Sequence, residues 1–300
     1  MGSKKVKSQS SKLVIAISSR ALFNLDHSHK IFKEEGIEAY AKHQQENEHV
    51  VLDPGVGFTL VKKLLKLNSK KTPIDVILLS RNSADTGLRI FNSIEHYGLN
   101  ISRAAFTRGE STHPFVGAFE ADLFLSSNYN DVQKALQSGY AAASIVESKS
   151  NNSHPSQLRI AFDGDAVIFS DEAERIFQEK GLEAFHENEV LSEKIELKAG
   201  PFKSFLVSLQ KIQSTFPEEN NPIRTALVTA RSAPSHKRVI HTMREWGIRI
   251  DESFFLGGLD KGVFLRQFAA DIFFDDQQHH CNSASKYVPT GHVPSGVKNS

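Results

Sequence analysis

Short apolar runs alternate with longer amphipathic stretches along most of the chain. In the second half the runs cover residues 158–162, 225–228, 253–256 and 271–274. Between them, residues 235–246 place Val239, Ile240, Met243 and Trp246 at helical spacing, and Gly247 ends the stretch. Apolar runs of strand length, separated by helices, predict a parallel sheet covered on both faces. The expected class is α/β, with Rossmann-like parallel sheets. The apolar stripes themselves read as core.

The first half repeats this pattern. Residues 13–17 (LVIAI) match 158–162 (LRIAF) at an offset of 145, and IFKEEGIEAY at 31–40 matches IFQEKGLEAF at 176–185. After the loops at 68–73 and 213–222 the offset becomes 149, pairing 74–80 with 223–229 and 121–125 with 270–274. Several blocks in one order predict an internal duplication. The halves are expected at 13–150 and 156–286, joined by the polar segment 148–156 (SKSNNSHPS). Residues 170–221 read as a small helical cap insert. The Ser/Lys-rich segment 1–12 reads as a disordered tail, and 287–300, rich in Pro, Gly and Ser, as an irregular C-terminal tail.

Composition narrows the partners. The 300 residues are 39% hydrophobic and 24% charged, as in soluble globular proteins. Lys plus Arg is 36 and Asp plus Glu 35, a net charge of +1, so the basic excess that nucleic-acid binding needs is missing. The single cysteine, Cys281, excludes an internal disulfide and fits a reducing compartment. The early apolar run at 13–17 is too short for a membrane span or a signal-peptide core. A cytoplasmic protein without membrane or nucleic-acid partners is expected.

Ligands of open parallel sheets bind outside the carboxyl ends of the strands. In the second half those ends carry Asp163-Gly-Asp165, Thr229-Ala-Arg231-Ser232, Lys261 after the third strand, and Asp275-Asp276. Carboxylates converging on one crevice repel one another and call for a cation. All-oxygen ligands without a His/Cys cluster favour magnesium. One carboxylate can attack a phosphoryl group, and a second, two residues on, can protonate the leaving oxygen. A hydroxyl and an ammonium can hold the equatorial oxygens. The set points to magnesium-dependent phosphoryl transfer.

Asp163-Gly-Asp-Ala-Val167 after an apolar strand resembles the DxDx(T/V) signature of the haloacid-dehalogenase (HAD) superfamily, with Thr229, Lys261 and Asp275-Asp276 where its later motifs follow. The surrounding text at 15–23, 158–167, 223–232 and 272–277 resembles the cytosolic 5′-nucleotidase type I family, over nearly the whole chain. That resemblance implies hydrolysis of nucleoside 5′-monophosphates such as AMP. It makes Asp163 the nucleophile, Asp165 the general acid/base, and Thr229 and Lys261 the phosphoryl-holding pair. Asp163, the backbone carbonyl of Asp165, Asp275 and Asp276 would bind Mg2+. Arg231 and Ser232 are weaker candidates for substrate contact. Two other readings remain open at this stage: a HAD phosphatase for another small phosphate ester, and a receiver-like phospho-Asp signalling domain. The oligomeric state is also open.

In the first half, Ser18, Arg20, Ser80, Thr112 and Ser126-Ser127 stand opposite Asp163, Asp165, Thr229, Lys261 and Asp275-Asp276. Every carboxylate is gone, so this half reads as structural. The sharper reading is that Ser18-Ser19-Arg20 or Asn82 binds an anion, either substrate phosphate (making Arg20 a substrate-binding candidate) or an effector nucleotide. Among the cap aromatics, Phe177, Phe185, Phe202 and Phe205 read mostly as core. His279-His280-Cys281 reads as the flank of the magnesium site. Lys62-Lys63, Lys66 and Lys70-Lys71 read as a solvated helix face.

Overall fold

The computed structural model describes residues 12–148 and 154–299. Nearly all of the tail read at 1–12, and the middle of the linker read at 148–156, lie outside the described residues. The first half runs β1 (Leu13–Ser18), α1 (Ser19–Leu22), α2 (Asp26–Glu46), α3 (Phe58–Leu67), β2 (Ile74–Ser80), α4 (Leu88–His96), β3 (Arg103–Phe106), α5 (His113–Ala118), β4 (Leu123–Ser126), α6 (Tyr129–Gln137) and β5 (Ala141–Val146). The second half runs β6 (Leu158–Phe162), an irregular turn at Gly164–Ile168, α7 (Glu172–Leu191), α8 (Lys203–Gln213), β7 (Ile223–Thr229), α9 (His236–Glu245), β8 (Glu252–Phe255), α10 (Gly262–Phe268), β9 (Ile272–Asp275), α11 (Gln278–Ala284) and β10 (Thr290–His292).

Among the described residues all ten strands join one sheet, in the order β3-β2-β1-β4-β5-β10-β9-β6-β7-β8. Within each half the strands are parallel, with registers such as Leu13↔Ile74 and Leu158↔Ile223. The halves meet where β10 runs antiparallel to β5, pairing Thr290 with Val146 and His292 with Ser144. The strand order therefore reads the same outward from this seam on each side. It also means that the carboxyl ends of the two sets of strands face opposite edges of the sheet.

This corrects the expectation of an irregular tail at 287–300. β10 sits in the centre of the sheet, between β5 and β9, and its three residues are buried. A strand buried on both faces shows no polar alternation, and Pro289 and Pro294 beside it mimic a loop. Gly291 is required there: a Cβ would stand 2.9 Å from the Phe274 ring and 3.0 Å from Ala143.

One apolar cluster spans both halves on one face of the sheet, uniting Ile15, Phe58 and Leu64 with Phe162, Phe205 and Phe274. The other face carries a separate core in each half, one around Phe124 and Val132 and one around Leu265 and Phe273. α8 belongs to the shared core, with Phe205, Leu206, Leu209 and Ile212 buried. The helix of the 170–221 segment that stands apart is α7. Like its counterpart α2, α7 bends at a glycine with positive φ, Gly181 (82°) in one and Gly36 (89°) in the other.

Polar contacts cross between the halves at matching positions. Lys63 on α3 donates to both Asp271 oxygens at 2.7 and 2.9 Å and to the carbonyls of His154 and Gln157, while Ser208 on α8 donates to Asp122 at 2.9 Å. Lys63 is thus no part of a solvated face. Asp271 is completely buried, and its charge draws the nearest ammonium inward.

Candidate active site

Three carboxylates and one lysine meet at the carboxyl edge of the second half. Asp163 follows β6 and donates its N–H to the Phe274 carbonyl at 2.8 Å, which ties it to β9. Asp275 ends β9, Asp276 comes next, and Lys261 stands at the start of α10. All four side chains are buried. Lys261 Nζ donates to Asp163 Oδ1 at 2.8 Å and to Asp275 Oδ2 at 2.6 Å. Carboxylate oxygens of Asp163, Asp275 and Asp276 lie within 4.8 Å of one another.

The three carboxyl groups respond differently to this crowding. Burial would raise Asp275, yet Lys261 and His280 outweigh it and hold it at about 2. Burial pushes Asp163 up to about 6, with Asp275 adding to the rise and Lys261 opposing it. Burial, followed by the charges of Asp163 and Asp275, pushes Asp276 up to about 9. Asp276 Oδ1 is buried without a hydrogen-bond partner. One lysine therefore does not balance three carboxylates, and the remaining oxygen faces a place for a proton or a hard cation. This donor set fits a magnesium ion.

Asp165 belongs to a second array. The irregular turn swings through Ala166 at φ 59°, a left-handed conformation unusual for a residue with a Cβ. Asp165 keeps 21% of its side-chain surface exposed. Arg231 grips it by both oxygens, Nε to Oδ2 at 2.8 Å and Nη2 to Oδ1 at 2.7 Å. Arg231 also donates to Glu189 on α7, which accepts from Arg238 on α9 at 2.8 Å. Burial would lower the Arg231 pKa, but Asp165 and Glu189 hold it above its ordinary value. The guanidinium lies 5.5 Å from the Phe185 ring, against which Phe177 packs edge-on at 6.5 Å. Phe185, Phe202 and Phe205 are core, whereas Phe177 is 42% exposed.

The remaining candidates divide. Thr229 ends β7, and its Oγ1 accepts the Arg231 N–H at 3.2 Å; a Cβ on Gly164 would lie 3.3 Å from that oxygen, so the turn and Thr229 adjoin. Ser232 turns its hydroxyl to the Ala233 carbonyl at 3.4 Å. Arg20 is not brought to the acid cluster. It follows β1, whose carboxyl end faces the opposite edge because β5 and β10 are antiparallel.

Sequence reading missed several supports. Glu189 and Arg238 fix Arg231. His280 Nδ1 lies 3.3 Å from Asp275, and His292 and Asn299 donate to the Asp276 carbonyl at 2.9 and 2.8 Å. The repeat carried a signal for the first pair. Glu189 and Arg238 fall on Gln44 and Arg89 at the two offsets, and these are also joined, at 3.2 Å.

A family model described as 5′-nucleotidase matches residues 5–300. The chain is 40% identical over 288 residues to human cytosolic 5′-nucleotidase 1B, an alignment covering 91% of this chain and 47% of that protein. The chain thus spans about half the length of that curated relative. No solved structure matches it.

Proposed function

Because this chain belongs to the 5′-nucleotidase family, we propose that it hydrolyses nucleoside 5′-monophosphates to nucleoside and phosphate, through a phosphoryl group carried on Asp163. The observation that carries the reading is the buried cluster of Asp163, Asp275 and Asp276 around Lys261. Asp163 attacks phosphorus, and the bond to the ester oxygen breaks. Asp165, the more exposed carboxyl, gives its proton to that oxygen. It then takes a proton from the water that attacks the aspartyl-phosphate, and phosphate leaves. Thr229 and Lys261 hold the equatorial oxygens. Lys261 also keeps Asp275 ionised and moderates the rise of Asp163. Arg231 holds the Asp165 carboxyl in one orientation.

Asp163, the Asp165 carbonyl, Asp275 and Asp276 would hold magnesium, which supplies positive charge for the cluster and for the phosphoryl oxygens. The exposed Phe177 beside Phe185, close to Arg231, offers a face on which a base can stack.

The two halves are further read as copies of one unit of HAD type. The mirrored strand order, the bends at Gly36 and Gly181 and the matching contacts of Lys63 and Ser208 support this. A cytoplasmic location is part of the same proposal. Among the described residues no helix is long and apolar enough to cross a membrane. The test is phosphate release from nucleoside monophosphates and sugar phosphates, with magnesium and with EDTA. Metal-dependent release from nucleotides is expected, and indifference to nucleotides would refute the substrate.

A further inference from the structure

The first half also has a cavity at its strand ends, of about 960 Å³, a size that accepts a nucleotide. Its floor keeps the backbone arrangement of the acid site and removes its charges. The Asn82 N–H donates to Ser80 Oγ at 3.2 Å, as the Arg231 N–H does to Thr229. The Asn128 N–H donates to Ser126 Oγ at 3.1 Å, as the Gln277 N–H does to Asp275 at 2.8 Å. No carboxylate stands at the positions of Asp163, Asp165, Asp275 or Asp276. The nearby Asp131 is occupied, accepting from Arg81 at 2.7 and 2.9 Å and from Ser111 and Thr112.

The two other carboxylates of the lining, Glu38 and Asp85, are exposed, and Asp85 accepts from Gln45 at 2.7 Å, while the floor carries donors that lack partners. Arg20, at the position of Asp165, gives one terminal nitrogen to Asp26 at 3.2 Å, and its buried Nε has no partner. Asn82, at the position of Arg231, accepts from Tyr40 at 2.8 Å through Oδ1, which leaves its buried Nδ2 unpaired. Ser18 Oγ accepts the N–H groups of Ala21 and Ser127, and Ser126 Oγ accepts that of Asn128. Among the described residues neither hydroxyl gives its proton to a partner. Where the second half joins Asp165 to Arg231, the first half has two donors that do not satisfy each other. Buried donors left this way favour a ligand rich in anionic oxygens.

The roof is shared as well. Phe32, 45% exposed, meets Tyr40 edge-on at 6.0 Å, as Phe177 meets Phe185. We propose that this cavity is a second, non-hydrolytic site for a nucleoside phosphate, its phosphate taken by Arg20, Asn82 and the Ser18 and Ser126 hydroxyls and its base by the Phe32–Tyr40 face. The nucleoside part of this inference rests on the activity proposed above, while the phosphate part rests on the unpaired donors alone. With a serine in place of Asp163 and arginine in place of Asp165, a ligand bound there stays intact.

The test is calorimetric titration of the full-length Asp163→Asn chain in EDTA, with AMP and with inorganic phosphate as probes. EDTA silences the metal-dependent site, so one AMP per chain is expected at the second. Arg20→Glu should weaken both probes by roughly tenfold or more, the worth of one charge-assisted hydrogen bond. Asn82→Asp keeps the oxygen that Tyr40 needs and removes the free donor, and should act in the same direction. No binding of either probe, or binding unchanged in both variants while their melting temperatures stay at the parent value, would overturn the proposal. Failure of the hydrolysis reading shows separately, as absence of phosphate release by the wild-type chain. Arg20-dependent binding of inorganic phosphate supports the second site in either case.

Discussion

Arg231 holds Asp165 through two parallel bonds, at 2.8 and 2.7 Å, and is itself held from behind by Glu189. The carboxyl proposed as acid/base is therefore oriented by a buried cation anchored on the kinked helix α7. Movement of α7 and alignment of Asp165 are mechanically linked through one guanidinium.

Replacing Arg231 with lysine should separate these roles. Lysine keeps the charge and loses the planar fork. We expect kcat to fall roughly tenfold to a hundredfold with a smaller change in KM, because what is lost is orientation in the transition state. Steady-state kinetics with AMP would show it. A change confined to KM would make Arg231 a substrate-binding group instead.

Asp163→Asn removes the oxygen proposed to attack phosphorus. Turnover should drop by roughly 10⁴-fold or more, the scale of losing a nucleophile. The fold should survive, since a neutral amide escapes the burial penalty that pushes Asp163 up to about 6, and the smaller repulsion from Asp275 with it. Near wild-type phosphate release by this variant would sink the mechanism.

Magnesium uptake should release protons. In the metal-free protein Asp276 titrates at about 9, so it carries its proton at pH 7, whereas in an unfolded chain it titrates near ~4. Its contribution to metal-free stability therefore declines as pH rises from about 4 to about 9, because the folded state retains a proton the unfolded chain has lost. A cation that displaces this proton binds more tightly as pH rises, approaching tenfold per pH unit below 9. Titrating magnesium at pH 7 in buffers of different ionisation enthalpy measures the protons released. Release of none would show that Asp276 is no ligand.

Lys63→Met should destabilise the chain by about 3–5 kcal/mol, because it removes the ammonium paired with the buried Asp271 carboxylate. Lys66→Met on the same helix, at an exposed position, should change stability by no more than about 0.5 kcal/mol. Urea unfolding of both variants makes the comparison. Equal midpoints would mean that the Lys63–Asp271 pair contributes nothing to stability.

Strands and helices were readable where a local period exists. The runs at 158–162 and 225–228 appear as β6 and β7, and the helix read at 235–246 as α9, His236–Glu245. β10 was not readable, because three buried residues between prolines carry no period and become a strand only through β5 and β9. Asp163, Asp165, Thr229, Lys261, Asp275 and Asp276 were legible because strand ends deliver side chains to one rim. Glu189 and His292 were not, since one comes from α7 and the other from β10, which only the assembled sheet sets beside β9.

The chain by itself therefore determined which chemistry gathers at which strand ends, and that one half retains carboxylates while the other does not. Those features are local: a strand is apolar because it is buried, and the residue after it stands at the rim. Tertiary structure alone decided that the two rims face opposite edges, that Lys63 is buried against Asp271, and that Arg20 belongs to a separate cavity. Each depends on the antiparallel seam between β5 and β10. That pairing joins segments far apart in the chain, and it is selected by the burial it completes rather than by any pattern within either segment.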